Sequence, residues 1–136
     1  MMETLEDRVK RHEGIRLFPY KCTAGKTSIG YGRNLDDKGI SQQEADFLFK
    51  NDLAKCEREY FQLPRAVRGR CSEVRKGVLI EMIYQLGYNG VTRFRQMLQA
   101  IQDDDFERAA DEMLDSRWFQ QTSSRCKELS EIFRNG

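Results

Sequence analysis

Apolar positions divide the chain into a short mixed front and a long helical remainder. Leu5, Val9 and the His12–Glu13 position share one face of a first helix, which Gly14 ends. Residues 16–20 and 27–31 read as short strands around a Thr23-Ala24-Gly25-Lys26 turn, with Pro19 suited to an edge, and residues 34–39 form a second turn cluster. Ser41-Gln42-Gln43-Glu44 is a capping box, and behind it Ala45, Leu48, Phe49, Leu53 and Cys56 recur at helical spacing to about residue 60, with Pro64 closing the element. Ser72 opens the next helix. Val74, Val78, Leu79, Ile80, Met82, Ile83, Tyr84 and Leu86 cover most of its circumference, which predicts a buried central helix stopped by Gly87 and Gly90. Three shorter helices follow. Phe94, Met97, Leu98 and Ile101 mark one, and Phe106, Ala109, Ala110, Met113 and Leu114 mark a second. Cys126, Leu129, Ile132 and Phe133 mark the last, capped by Thr122 or Ser123.

This pattern predicts an α+β fold of two lobes. A small β-containing lobe spans about 14–40, a connecting helix about 41–60, and a larger helical lobe about 60–136, with the first helix packing back on the helical lobe. At 136 residues the chain fits one domain with a real core. Two lobes leave a cleft, where ligands bind.

Charge and cysteines narrow the function classes. A net charge of +1 gives no electrostatic footprint for nucleic acid. The basic run at 65–70, with Arg75 and Lys76, reads as a solvated loop and helix face. Cys22, Cys56, Cys71 and Cys126 form no C-x-x-C pair and the chain has one histidine, so no zinc site is expected. Residues 1–11 carry Glu3, Glu6 and Asp7 without an apolar stretch, so no signal peptide is read, and no run of about 18 apolar residues predicts a membrane span. Free thiols in a reducing cytoplasm are the expectation.

Candidate chemistry concentrates at the junction of the first helix and the first strand. Glu13 stands at a helix C-terminus, where unpaired carbonyls disfavour a second negative charge and favour the protonated carboxyl, the form a glycosidase uses to protonate a leaving oxygen. Spacing alone favours the plainer reading, a surface residue at a helix end. Gly25-Lys26-Thr27 is not a phosphate-binding loop, because Tyr20 stands where that motif needs its first Gly. Gly30-x-Gly32 is followed by Leu35 where a dinucleotide fingerprint needs Gly. His12 beside an acid is more simply a polar helix residue than part of a triad.

Taken together, the motifs resemble the phage-type lysozymes, or endolysins, of the T-even phage kind. Glu13-Gly14-Ile15-Arg16-Leu17 and Ile29-Gly30-Tyr31-Gly32 match the catalytic lobe. Gly39-Ile40-Ser41, Glu44-Ala45 and Asn51-Asp52 match the connecting helix. Gln85-Leu86-Gly87 with Gly90-Val91 matches the central helix end. Ser116-Arg117-Trp118-Phe119, Gln121-Thr122 and Arg125 match the last third. The resemblance covers nearly the whole chain in order, and its specificity lies in the combination.

The resemblance implies hydrolysis of the β-1,4 bond between N-acetylmuramic acid and N-acetylglucosamine in peptidoglycan, with no cofactor or metal. The family spacing is Glu, eight residues, Asp or Cys, five residues, Thr. Here it falls on Glu13 as general acid, Cys22 as the residue that holds or activates the attacking water, and Ser28 as the hydroxyl that helps hold it. Ser keeps the hydroxyl of Thr and loses the methyl; neighbouring Thr27 points to the other strand face by alternation. Cys22 has two readings, a neutral thiol that positions water or a thiolate that accepts its proton. Arg125 matches an arginine facing the catalytic Glu, Gln85 and Trp118 match a contacting pair at the sugar-binding cleft, and Arg33 with Asp52 is expected as a structural ion pair. The loop after Asn34 is shorter than in the T-even enzymes, which implies a smaller substrate-facing lobe.

The expected partner is therefore the peptidoglycan glycan strand, bound by a monomer without nucleic acid or stable membrane association. Host lysis late in phage infection is implied, from the bacterial cytoplasm, once a separate membrane-permeabilising protein has opened a path to the wall. A non-catalytic peptidoglycan-binding protein of the same fold, or a lytic transglycosylase, is the alternative. A helical nucleic-acid-binding module built on the basic run is a further rival, which the charge balance disfavours.

Overall fold

A computed structural model describes residues 2–136. Within them, ten helices and a three-stranded antiparallel sheet give an α+β architecture. The chain divides into two compact units, Met1–Leu48 and Phe49–Gly136.

The first unit opens with α1 (Leu5–Glu13), whose N-terminal amides are capped by Thr4, the Asp7 N–H donating to its hydroxyl at 3.1 Å. Gly14 at φ 68° ends it, in a left-handed conformation that favours glycine. α1 falls within the first unit, and none of its side chains is buried. Two apolar residues in a nine-residue helix make too narrow a stripe to drive burial.

β1 (Arg16–Lys21), β2 (Thr27–Gly30) and β3 (Arg33–Asn34) follow in the order β1-β2-β3. Tyr20 pairs with Ser28 and Lys21 with Thr27, while the register shifts between Arg16 and Tyr20, around Pro19 on the edge strand. The cluster at 34–39, read as a turn, is a strand end and one turn of helix, α2 (Leu35–Lys38). The Asn34 side chain caps it by accepting from the Asp37 N–H at 3.1 Å. Among residues 2–48 only Ser28 is buried, and Leu17, Phe18, Ile40 and Phe47 are all exposed. The sheet unit therefore stands on hydrogen bonds and ion pairs rather than on an apolar core.

α3 (Gln42–Tyr60) begins at the expected capping box. The Glu44 N–H donates to the Ser41 hydroxyl at 3.1 Å, and the Ser41 N–H donates to the Glu44 carboxylate at 2.8 Å. Only Cys56 and Tyr60 of this helix are buried.

The second unit is helical: α4 (Arg65–Arg68), α5 (Glu73–Leu86), α6 (Tyr88–Thr92), α7 (Arg95–Gln102), α8 (Phe106–Leu114), α9 (Arg117–Gln121) and α10 (Ser123–Asn135). Its core gathers Leu79, Met82, Met97, Ile101, Met113 and Phe133. Cutting one such side chain to Ala costs about 2–5 kcal/mol. α5 is not buried all round as its composition predicts: Val78, Leu79, Met82 and Ile83 are inside, but Val74 is 51% and Tyr84 40% exposed. Tyr84 instead packs its ring on Phe49, centroids 5.8 Å apart. Arg75 ties α5 to the end of α10, donating to the carbonyls of Phe133 at 2.7 Å and Arg134 at 3.1 Å while its guanidinium lies 3.6 Å from the Phe106 ring centre. Among the described residues no helix is long and apolar enough to cross a membrane.

Candidate active site

In the sheet unit, the hairpin register and the end of α1 position the three residues of the Glu–Cys–Ser spacing. Glu13 closes α1, and its carboxylate rests against the β2–β3 turn. A β-carbon on Gly32 would lie 2.8 Å from Glu13 Oε2. Gly32 also holds φ 79°, so the turn approaches the carboxylate through bare backbone.

Cys22 follows β1 directly. Its N–H donates to the Lys26 carbonyl at 2.9 Å, and its own carbonyl accepts from the Gly25 N–H at 2.8 Å. The backbone N–H groups of Lys26 and then Ala24 face the sulfur and hold the thiol below its ordinary range, and the Ser28 hydroxyl adds to this. Ser28 is 3% exposed. Thr27 turns away, as alternation predicts: its hydroxyl accepts from Lys21 Nζ at 2.7 Å, and its amide donates to Asp36 at 2.8 Å.

Arg33 has its partner inside its own unit. Its guanidinium donates to both carboxylate oxygens of Glu44, at 2.9 and 2.6 Å, and to the Gly39 carbonyl at 3.0 Å. Glu44 is in place to meet it because the fourth residue of the capping box already points its carboxylate toward the helix start, where β3 delivers the arginine. The Arg33 hydrogen bonds, then the Ser41 amide, lower the Glu44 carboxyl to about 2. Gly30, Gly32, Arg33, Glu44 and Phe47 border an open cavity of about 690 Å³.

In the helical unit, Gln85 and Trp118 are hydrogen-bonded to each other. Trp118 Nε1–H donates to Gln85 Oε1 at 3.0 Å, and Gln85 Nε2–H donates to the Thr122 hydroxyl at 3.1 Å. Trp118 is 3% exposed, so its ring is a core element as well as a wall of a cavity of about 520 Å³ that Leu86, Phe94 and Arg117 also line. Thr122, read as a cap for α10, makes no side-chain cap bond there, since its hydroxyl is engaged by Gln85. Arg125 donates to Glu81 on α5 at 2.9 Å. Glu81 had no signal in the sequence beyond its place on the polar side of α5.

A family model described as Phage lysozyme matches residues 10–132 of the chain. Among curated proteins, the chain is 27% identical over its full length to the probable T4-type lysozyme 1 of Dictyostelium discoideum, covering 96% of that protein. It is 28% identical over 98% of its length to the pre-baseplate central spike protein Gp5 of Enterobacteria phage T4, of which it spans 28%. A shorter match, 39% identical over 51 residues, is to an endolysin of Acyrthosiphon pisum secondary endosymbiont phage 1.

Proposed function

The chain belongs to the phage lysozyme family, and on that premise we propose that it hydrolyses the β-1,4 bond between N-acetylmuramic acid and N-acetylglucosamine in peptidoglycan, breaching the bacterial wall. Lysozyme-type activity is that of the family and of its named relatives. The observation that carries the finer reading is the hairpin register, Tyr20 against Ser28 with the Cys22 N–H bonded to the Lys26 carbonyl, which sets Cys22 and Ser28 on the same small sheet whose second turn abuts the Glu13 carboxylate.

In this reading Glu13 donates its proton to the glycosidic oxygen as the bond to the anomeric carbon breaks. Ser28 and Cys22 hold the water that adds to that carbon. The water's proton passes to the Cys22 thiolate, and the cycle closes as Cys22 releases that proton to solvent and Glu13 takes one from it. The backbone amides around Cys22 favour the thiolate reading over the neutral one, because they stabilise negative charge on sulfur. Gln85, Trp118 and Arg125 are proposed to contribute to glycan binding from the helical unit.

The test is reducing-end release from purified peptidoglycan by the Glu13→Gln protein. Loss of about 10²-fold or more in rate, with retained binding to insoluble wall, supports the general acid. An unchanged rate overturns it. Wall binding by the unmodified chain without bond cleavage points to the binding-protein alternative, and a 1,6-anhydro product to the transglycosylase.

A further inference from the structure

The basic run first read as solvated surface has a structure that the proposed hydrolysis does not use. Between residues 58 and 76, Arg58, Arg65, Arg68, Arg70, Arg75 and Lys76 stand against only Glu59 and Glu73, in a chain whose net charge is +1. None of the six forms an ion pair among the described residues. Arg75 is committed to the end of α10. The other five surround the corner where α3 ends, α4 makes its single turn and α5 starts.

An aromatic ring projects from the same corner. Phe61 is 56% exposed, with the Arg68 guanidinium 5.6 Å and the Lys76 ammonium 5.0 Å from its ring centre, and the Tyr60 ring meets it edge-on at 5.4 Å. Arg68 is fixed in place by donating to the Leu63 carbonyl at 2.8 Å. A large apolar side chain is thus held outward in a ring of unpaired cations.

We propose that this corner docks reversibly on an anionic phospholipid surface, with Phe61 at headgroup depth and Arg58, Arg65, Arg68, Arg70 and Lys76 against the lipid phosphates. An amphipathic cluster of this kind places its apolar body below its charges at a bilayer interface. Laterally mobile headgroups can adapt to irregularly spaced cations. A nucleic acid strand is a poorer match, because strand binding uses a row of aromatic platforms and the corner exposes one. Whole-chain charge and the lack of a spanning helix among the described residues, on which the expectation of no stable membrane association rests, do not bear on a local, reversible surface.

The experiment is sedimentation of the full chain with vesicles of phosphatidylcholine alone, or with phosphatidylglycerol in equal part. Binding to the anionic vesicles alone, released at about 0.5 M salt, is the expected result. Each exposed cation near the surface contributes about fivefold to partitioning, so Arg65→Gln with Arg70→Gln, neither of which has a partner to lose, should weaken binding about 25-fold. Phe61→Ser should weaken it further without altering the salt release. The charge-matched control, Arg8→Gln with Lys127→Gln, should retain binding. Equal binding to both vesicle types, equal loss in the control, or tighter binding to duplex DNA than to the anionic vesicles at matched phosphate concentration would each overturn the proposal.

Discussion

The Glu13 carboxylate fills the space that a side chain on Gly32 would occupy, with Oε2 2.8 Å from the position of the missing β-carbon. A methyl group there meets two penalties, a φ of 79° that L-residues rarely adopt and a direct clash with the carboxylate. In Gly32→Ala the carboxylate is the part free to yield, and displacement of a reacting group by about 1 Å can cost about 10²-fold in rate. The expected result is a large fall in kcat for wall hydrolysis with little change in wall binding. A Gly32→Ala protein as active as the unmodified chain would show that Glu13 does not depend on this turn.

Cys22 should be the most reactive of the four thiols. Its sulfur faces the Lys26 and Ala24 amides and titrates below the ordinary range, whereas burial pushes Cys56 and Cys71 up and Cys126 to about 11. Iodoacetamide under native conditions should label Cys22 first, with activity falling in step, as read by peptide mass spectrometry beside a turbidity assay. If the thiolate accepts the water's proton, activity rises with pH through the lowered thiol value, and Cys22→Ser removes that limb. Full activity of Cys22→Ser across pH would reduce Cys22 to a spacer. The stability sign follows from the same shift: stabilisation by the thiolate is complete above the unfolded value of about 8.5 and fades as pH falls through the folded one.

Local chemistry made much of this fold readable, and the failures share a cause. Ser41 and Glu44 announce α3 because a capping box is a reciprocal pair within four residues. Ser72 announces α5 as a one-way cap, its hydroxyl accepting from the Arg75 N–H at 3.1 Å. What escaped notice is short: β3, α2, α4, α6 and α9 have two to five residues each, too few for a period to register. Partner choice was also unreadable. Arg33 lies 11 residues from Glu44, and nothing in the sequence separates that carboxylate from Asp52 until β3 and the helix start are placed together. The Glu–Cys–Ser spacing was legible as a family pattern, while the Gly32 contact and the amides facing Cys22 depend on turn geometry.

The Arg33–Glu44 pair gives a stability prediction with a clear contrast. Glu44 titrates at about 2, against an ordinary value near 4.3, so the stabilisation is complete above the ordinary value and is lost as pH falls toward 2. Glu44→Gln removes the charged, forked acceptor for Arg33 while its amide oxygen can still close the capping box, and it should lower the melting temperature at pH 7 while flattening its fall in acid. Asp52→Asn should leave both unchanged. A larger loss from Asp52→Asn, measured by thermal denaturation across pH, would restore the pairing first expected.

Gln85 holds two donors and acceptors in one line, taking the Trp118 indole N–H and donating to the Thr122 hydroxyl. Leucine has similar volume and neither capability. Gln85→Leu therefore leaves the indole N–H of a buried ring without an acceptor, at a cost of about 1–3 kcal/mol. Gln85→Glu keeps the acceptor for Trp118 and loses the donor to Thr122, so it should be the milder change. Urea denaturation ranks the two, and indole fluorescence reports whether Trp118 stays in place. If Gln85→Leu proves as stable as the unmodified chain while wall hydrolysis falls, the residue acts on the glycan directly. A parallel loss of stability and activity assigns it to holding Trp118 against the neighbouring cavity.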